Sequence, residues 1–439
     1  MIGFVNKYVF GVGVPVLLII SGLFFCFRLR FFHFLHPIKM LRSLRRGEER
    51  SGVSSAKALA LALAGTLGVG NMVGVASAIA LGGYGAVFWM WVSALLAMVL
   101  KYAEIVLAMR HRRFDGSGKP YGAAMYYIRD LFKGSRLGSF IALLFALLCV
   151  INALSMGGMI QVGAAARAME GAFGAFPIAV GAIFSFVAFL AMKKGSMRIL
   201  SITEKLVPLM TLGFGVLSVA VICLKPSESA DAISLIFNDA FSPMSALGGI
   251  MGVLTSNALR YGTMRGILSN EAGCGTAPAA HAVSHCEEPA RQGVWGIFEV
   301  FVDTILLCTL TAVVIIVGGG RAESGDYMMM TIDSYTAVLG DWAGGFIAFS
   351  VLLFALATVL CWGHYGLESM RYISKSKFGK GLFITLYCTC VICGSVFTGE
   401  IVWECADLAL GGMTLINLTV ILAMNGEVKE ETERYFWRG

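Results

Sequence analysis

The chain has 439 residues, of which 57% are hydrophobic and only 14% are charged, and its mean hydropathy is +0.78. Soluble domains carry about 25% charged residues, so this composition excludes an ordinary soluble protein and predicts a polytopic membrane protein with roughly ten to twelve spans. The net charge of +7 would suit nucleic-acid binding only on a soluble basic surface, and no soluble domain of useful size remains between the hydrophobic segments.

Eleven hydrophobic segments predict eleven transmembrane helices. They lie near residues 8–27, 56–82, 86–109, 138–168, 175–192, 199–223, 247–272, 293–318, 344–370, 381–398 and 404–424. The first precedes basic residues and has no small-residue cleavage pattern, so it indicates a membrane helix rather than a signal peptide. The eleven cysteines are scattered, and the group Cys388, Cys390 and Cys393 has no partner cluster, so we expect neither a disulfide framework nor a zinc site.

The second segment contains a run that disfavours a continuous helix. Four glycines and Asn71 fall within the eleven residues from Gly65 to Val75, and each glycine costs about 1 kcal/mol relative to alanine inside a helix. A helix broken within the membrane is tolerated only where it is buried in protein or lines a cavity. In secondary transporters such a break indicates a substrate or ion site, whereas close helix packing through small residues is the alternative.

The basic residues are distributed unevenly over the loops. If the amino terminus lies outside, 30 of the 34 Lys and Arg residues fall on the cytoplasmic side. The exceptions are Lys7, Arg167, Lys225 and Arg321. Because cytoplasmic loops are enriched in Lys and Arg, we expect the amino terminus outside and the carboxyl terminus in the cytoplasm.

The segment count also predicts an internal repeat. Without the first segment, two sets of five remain, which begin near Ala56 and Leu247. Since five is odd, the second set enters the membrane from the opposite side, as in an inverted repeat. The second set opens with a glycine cluster, Gly248, Gly249 and Gly252, at the position that matches the first break. We expect an extra helix and loop over residues 1–50, repeats over 51–225 and 226–425, and a cytoplasmic tail over 426–439.

Several sequence motifs are long enough to be specific to one protein family. They are Gly65-Thr66 with Gly70-Asn71 and Gly74-Val75; the run from Gly82 to Trp91 that leads to Lys101-Tyr102-Ala103-Glu104; Arg260-Tyr261-Gly262 and Arg265-Gly266 before Ser269-Asn270-Glu271-Ala272-Gly273; and Arg291-Gln292-Gly293 with Asp303-Thr304. Through these motifs the sequence resembles the alanine/glycine:cation symporter family over roughly residues 1–425.

The resemblance implies a fold and a function. The fold is all-α and LeuT-like, with a 5+5 inverted repeat behind one extra amino-terminal helix. The function is sodium-coupled symport of a small neutral amino acid, alanine or glycine, into the cell by alternating access. The location is a bacterial or archaeal plasma membrane. Sodium is the coupling ion, no enzymatic cofactor is expected, and we expect a single chain to suffice for transport.

An unwound segment suits a zwitterionic amino acid, because it frees N–H groups for a carboxylate and carbonyl groups for an ammonium. The expected substrate-binding residues combine this chemistry with positions matched in the family. They are Thr66, Gly70, Asn71, Gln161, Gly248, Gly249, Gly252, Thr358 and Trp362. For sodium, which prefers hard oxygen ligands, the resemblance implies the carbonyls of Ala64 and Leu67 and the hydroxyl of Thr358. Val69 and Ala357 stand where many members carry hydroxyl residues.

Three acidic residues within or beside the spans are candidates for a gate or a proton-sensitive site. Glu299 and Asp303 are four residues apart and would share one face of a helix. They are expected either to form a proton-sensitive pair or to pair with a basic residue near a helix end. Glu271, with Arg260 and Arg265 nearby in sequence, would form a salt-bridged cytoplasmic gate or anchor a helix end.

Two other functions compete with sodium symport. The first is a proton-coupled amino-acid permease of the same fold, which would use Glu299 or Asp303. The second is a membrane-embedded enzyme, for which the sequence lacks the His-Glu-x-x-His and Gly-x-Ser-x-Gly motifs. We therefore expect a transporter and not an enzyme.

Overall fold

The computed structural model describes residues 13–45, 52–241, 257–320, 325–397 and 399–437. Within these ranges the chain is helical except for short connections and one two-stranded antiparallel sheet, β1 (Arg113–Phe114) and β2 (Pro120–Tyr121). The predicted all-α fold is therefore confirmed.

The helices are numbered here in chain order. They are α1 (Val14–Arg28), α2 (Phe32–Leu35), α3 (Pro37–Arg45), α4 (Ser55–Thr66), α5 (Gly70–Gly82), α6 (Ala86–Arg110), α7 (Ala124–Leu131), α8 (Arg136–Phe173), α9 (Pro177–Lys194), α10 (Ser196–Leu224), α11 (Pro226–Ala240), α12 (Asn257–Asn270), α13 (Ala277–His281), α14 (Pro289–Val317), α15 (Tyr327–Leu339), α16 (Asp341–Ile373), α17 (Lys377–Val396), α18 (Glu400–Ala423) and α19 (Asn425–Phe436).

Eight of these helices are long and apolar enough to cross a membrane, namely α6, α8, α9, α10, α14, α16, α17 and α18. Helices α4 and α5 pass the same test together as one span that is bent by 54°. Helix α1 is a shorter apolar helix at the first predicted segment, and α12 covers the part of the seventh segment that the structure describes. The predicted total of eleven spans and the domain boundaries stay predictions.

The spans divide into an inner and an outer group. Helix α6 is largely buried by its neighbours α12 and α14, and most of α16 is buried as well. Helices α9, α10 and α17 expose most of their apolar side chains, including Leu209, Leu212 and Val216 on α10. Such a continuous apolar surface is typical of helices that face lipid. The broken span itself packs against α10, α12 and α16.

The carboxyl-terminal helix α19 joins parts of the molecule that are distant in sequence. Arg110, the last residue of α6, bonds three carboxylates of α19 at 2.7–3.1 Å, those of Glu427, Glu430 and Glu431. The Tyr102 hydroxyl lies 2.8 Å from that of Thr432, and on the other side the Ser43 hydroxyl lies 2.8 Å from that of Tyr435. Helix α19 therefore connects α6 with α3.

Candidate functional site

The predicted break lies between α4 and α5. Helix α4 ends at Thr66 and the next regular turn begins at Gly70 as a π-helical turn. The Gly68 N–H donates to the Thr66 carbonyl at 2.8 Å, and the Val69 N–H donates to Gln161 Oε1 at 3.2 Å. In a continuous helix these two N–H groups would bond the carbonyls of the residues four places earlier, which are Ala64 and Gly65. The break therefore removes the regular donors of those carbonyls.

The carbonyl of Leu67 loses its regular donor in the same way. Its helical partner would be the N–H of Asn71, which instead donates to the Gly68 carbonyl at 3.4 Å. Both carbonyls expected to bind sodium, those of Ala64 and Leu67, thus lie at the break without their regular helical hydrogen bonds. Such carbonyl oxygens are hard donors of the kind that alkali and alkaline-earth cations prefer.

Helices α8 and α16 meet the break at Gly68. A Cβ atom added to Gly68 would lie 2.8 Å from Thr358 Oγ1 and 3.0 Å from Gln161 Oε1. The Thr358 hydroxyl donates to the Phe354 carbonyl at 3.0 Å, so its oxygen retains acceptor capacity. Gln161 and Thr358, two predicted site residues, are therefore brought together on one side of the broken span.

Trp362 lies one turn after Thr358 on α16 and is completely buried. Its side chain packs so tightly on Gly157 of α8 that a Cβ there would come within 2.2 Å. Its ring makes an edge contact with Tyr365, whose hydroxyl lies 3.0 Å from the position of a Cβ on Gly65. Trp362 is thus separated from the break by the side chain of Tyr365. Its indole N–H has no hydrogen-bond partner among the described residues.

Asn71 points to the other side of the break. Its amide nitrogen donates to Asp303 Oδ1 at 2.7 Å and to the Asp303 carbonyl at 3.1 Å. The second oxygen of Asp303 accepts hydrogen bonds from Ser269 and Thr304, both at 2.7 Å. The side-chain N–H groups of Asn71 are therefore occupied by Asp303 on α14, and they do not face Gln161 and Thr358.

Thr66 lies at the end of α4 and is buried, and its hydroxyl oxygen has no hydrogen-bond partner in the described part of the chain. Gly70 is partly exposed, and a Cβ added there would have only one neighbour, the Ser269 Cα at 4.0 Å. The predicted backbone contributions of Gly248, Gly249 and Gly252 lie outside the described residues. The second broken helix therefore stays a prediction.

Glu299 and Asp303 have different partners, and their role as a proton-sensitive pair stays a prediction. Glu299 forms an ion pair with Lys101 of α6 at 3.2 Å and accepts a hydrogen bond from His281 at 3.1 Å, whereas Asp303 bonds Asn71. A π-helical turn over Phe301–Cys308 begins between the two acids and alters the helical phase, so the two carboxyl groups bond different partners although Glu299 lies within electrostatic reach of Asp303. The alternative expectation, pairing with a basic residue, describes Glu299.

The expected arginine partners of Glu271 are also wrong. Arg260 lies over the Tyr261 ring at 5.5 Å, and Arg265 lies within electrostatic reach of Asp407 on α18. Glu271 instead follows α12 with a left-handed backbone, φ 50°, which turns the chain inward so that its side chain is buried.

Sequence reasoning missed Lys101, Glu104, His281 and Gln292 as site residues. All four are completely buried beside Glu299 or Glu271. Their signal was the presence of charged and polar residues, such as Lys101 and Glu104, inside an apolar segment. Among the described residues no cluster of His, Cys, Asp and Glu is suited to a transition metal.

The chain matches known transporters along nearly its whole length. The sodium:alanine symporter family matches residues 1–438. An uncharacterized transporter of Haemophilus influenzae is 35% identical over 99% of this chain and 95% of its own. The sodium/alanine symporter AgcS of Methanococcus maripaludis is 32% identical over 99% of this chain and 96% of its own.

A solved structure of MhsT in complex with L-phenylalanine superposes with a TM-score of 0.54 at 16% identity, over 88% of this chain and 93% of that one. At this identity the likeness concerns the fold alone, which is that of LeuT-like transporters. The matched family and the named relatives are transporters, so the chain is a transporter and not a membrane-embedded enzyme.

Proposed function

Because this chain belongs to the sodium:alanine symporter family, we propose that it couples a sodium gradient to the uptake of a small neutral amino acid, alanine or glycine. The proposed orientation has the amino terminus outside and the carboxyl terminus in the cytoplasm of a bacterial or archaeal cell. It rests on the distribution of Lys and Arg over the loops.

The observation that carries the proposal is the set of freed backbone groups at the break. The carbonyls of Ala64 and Leu67 have lost their regular donors, and the hydroxyl of Thr358 lies against Gly68, the residue that follows Leu67. We assign these three oxygens to sodium. Binding there would connect α4 with α16, so sodium would stabilise one arrangement of the broken span relative to α16.

The substrate is assigned to the neighbouring part of the break. Gly70 and the backbone of Asn71 begin α5, whose amino-terminal dipole end suits a carboxylate. Gln161 and Thr66 supply polar side-chain atoms, and Trp362 with Gly157 closes the apolar side. Because Gly68 brings the main chain close to Gln161 and Thr358, we expect the bound amino acid to be small.

Transport in purified form tests the proposal. The full chain is reconstituted into liposomes, and radiolabelled alanine or glycine uptake is measured with an inward sodium gradient, with equal sodium on both sides, and with potassium in place of sodium. We expect accumulation only under the sodium gradient. Uptake that is equally fast in potassium would contradict sodium coupling, and absence of alanine and glycine uptake in every arm would contradict the substrate assignment.

A further inference from the structure

A cavity of about 320 Å³ lies where two turns of the chain meet, the turn between α9 and α10 and the turn between α16 and α17. Gly195 and Ser196 line it from the first turn, and Ser374 and Ser376 line it from the second. Both turns lie on the cytoplasmic side in the proposed orientation. The residues that line the cavity include none of the proposed substrate or sodium ligands, so the cavity is a second and separate region of the molecule.

Positive charge predominates around this cavity, called here the basic cavity. Its charged lining residues are Arg371, Lys375, Lys377 and Lys380 and one acid, Glu368. Glu368 lies 3.7 Å from Arg371, so these two charges offset each other. Within the described residues, no ion pair engages Lys375, Lys377 or Lys380. An anion bound in the cavity would therefore offset the mutual repulsion of the three lysines.

The first turn of α17 adds neutral polar groups to the basic cavity. Ser376 caps this helix by accepting the Gly379 N–H at 3.0 Å, and its hydroxyl lies 2.9 Å from that of Ser374. The start of α17 is also the positive end of the helix dipole, and it coincides with the three lysines. Hydroxyl groups, ammonium groups and a helix amino terminus are donors that proteins use to bind phosphate. The chemistry of the cavity therefore suits a phosphate group.

An apolar stripe begins beside the basic cavity and continues along α17 into the membrane. It consists of Phe378, Leu382 and Leu386, called here the α17 stripe, which are 80%, 47% and 47% exposed. Because successive members are four residues apart, they share one face of the helix. On α9, which packs against α17, Phe189 is exposed as well. A phospholipid has the same two parts in the same order, an anionic headgroup followed by acyl chains, whereas a free phosphate would use only the cavity.

We propose that the basic cavity binds the headgroup of an anionic phospholipid while an acyl chain of the same lipid lies along the α17 stripe. Lys377 and Lys380 bind the lipid phosphate, because both line the cavity and both flank the start of the stripe. Since both turns line the cavity, the bound headgroup connects the start of α10 with the start of α17. In the proposed orientation the lipid belongs to the cytoplasmic leaflet. The site depends neither on the transported substrate nor on the coupling ion.

The start of α8 provides a comparison within the same molecule. Residues 135–138 are Ser-Arg-Leu-Gly and residues 376–379 are Ser-Lys-Phe-Gly, and in both runs the serine accepts the N–H of the glycine. Lys133 and Arg136 are exposed there, also on the proposed cytoplasmic side. The side chain of Phe132, however, packs directly against Gly138. Lys133 and Arg136 therefore serve as a control for positive charge beside a serine-capped helix start that is covered by an apolar side chain.

Lipid binding to the purified full chain tests the proposal. Native mass spectrometry counts the molecules of dioleoyl phosphatidylglycerol bound to the protein in detergent, and dioleoyl phosphatidylcholine is the zwitterionic comparison. For the wild type we expect one phosphatidylglycerol to bind at least about tenfold more tightly than phosphatidylcholine, because the choline ammonium would face the lysines. For Lys377→Gln with Lys380→Gln we expect loss of this preference, and for Lys133→Gln with Arg136→Gln we expect it to be unchanged.

A charge-preserving variant and a competitor complete the experiment. Lys377→Arg with Lys380→Arg is expected to keep the tightly bound phosphatidylglycerol, since guanidinium groups also bind phosphate. If the double glutamine variant cannot be purified, the single change Lys380→Gln is expected to weaken phosphatidylglycerol binding without changing phosphatidylcholine binding. Inorganic phosphate and glycerol phosphate in large excess are expected to leave the lipid bound, because neither has an acyl chain to occupy the α17 stripe.

Three outcomes would overturn the inference. Equal affinity of the wild type for both lipids, or a preference that persists in the glutamine variants of Lys377 and Lys380, overturns the lipid site. An equal loss in the variant of Lys133 and Arg136 means that total charge and not the cavity determines binding. Displacement of the lipid by inorganic phosphate assigns the cavity to a free anion instead. Because no measurement here uses transport, failure of the lipid site leaves the proposed function untouched.

Discussion

At the residue scale, Gly68 leaves no space for a side chain. A Cβ there would lie 2.8 Å from Thr358 Oγ1 and 3.0 Å from Gln161 Oε1, both short of ordinary van der Waals contact. We predict that Gly68→Ala abolishes sodium-driven alanine uptake while the protein still folds, because the added methyl displaces two predicted site residues. Uptake in proteoliposomes and thermal unfolding in detergent check this.

The matched control for that change is Gly74→Ala. A Cβ at Gly74 would have no neighbour within 4 Å, and the residue has helical dihedral angles. Replacing a helical glycine by alanine at a position without strain stabilises a protein by about 0.4–1 kcal/mol. We expect normal uptake and equal or greater thermal stability, and equal uptake by both variants would contradict the assigned role of Gly68.

The ion pair of Lys101 and Glu299 gives a second prediction. Removing one partner of a buried pair typically costs about 3–5 kcal/mol, because the other charge stays buried and unpaired. We predict this loss for Lys101→Met and recovery of most of it in the double variant Lys101→Met with Glu299→Gln, in which Gln still accepts from His281. Thermal unfolding in detergent measures both, and a double variant as unstable as the single one would contradict the pairing.

At the scale of elements, the break in the second span depends on α8. Gln161 accepts the Val69 N–H at 3.2 Å, and an unsatisfied buried N–H costs about 1–3 kcal/mol. We predict that Gln161→Leu loses about that much stability and loses alanine uptake, whereas Gln161→Asn, which keeps a neutral acceptor oxygen, retains more of the stability. Chemical unfolding and uptake are measured for both variants. Equal losses in the two variants would contradict a role of the Gln161 oxygen as the acceptor for the Val69 N–H.

The sequence predicted the location of the break, because glycines and an Asn inside an apolar segment give a local signal. It did not predict the partners across the break. Glu299 and Asp303 were expected on one face from their spacing, but a π-helical turn and the ammonium of Lys101 gave Glu299 a different environment. Partners of this kind depend on which helices pack together, and no local pattern of α14 contains that information.

The partners of Glu271 were also mispredicted because they depend on tertiary packing and not on the local sequence. Its two neighbouring arginines in sequence suggested a salt bridge, yet the left-handed turn at Glu271 directs its side chain into the interior while Arg265 turns toward Asp407. Proximity along a helix indicates contact only while the helix continues, and α12 ends at Asn270.

At the scale of the whole molecule, the orientation in the membrane has a direct test. Glu228 of α11 and Lys375 between α16 and α17 are both exposed. On a background without native cysteines, we predict that a membrane-impermeant maleimide labels Glu228→Cys in intact cells and labels Lys375→Cys only after the membrane is permeabilised. The reverse pattern would contradict the proposed orientation.

The close packing of the main chain at Gly68 has a consequence for attempts to change the substrate of this protein. In the proposed site, the approach of α8 and α16 to the broken span would set the size of the substrate, because Gly157 and Trp362 are in direct contact. Trimming a single side chain would therefore widen the space only on the Trp362 side. A laboratory selection for growth on bulkier nutrients is expected to yield substitutions at Trp362 or at positions that separate these helices, and not at the glycines of the break.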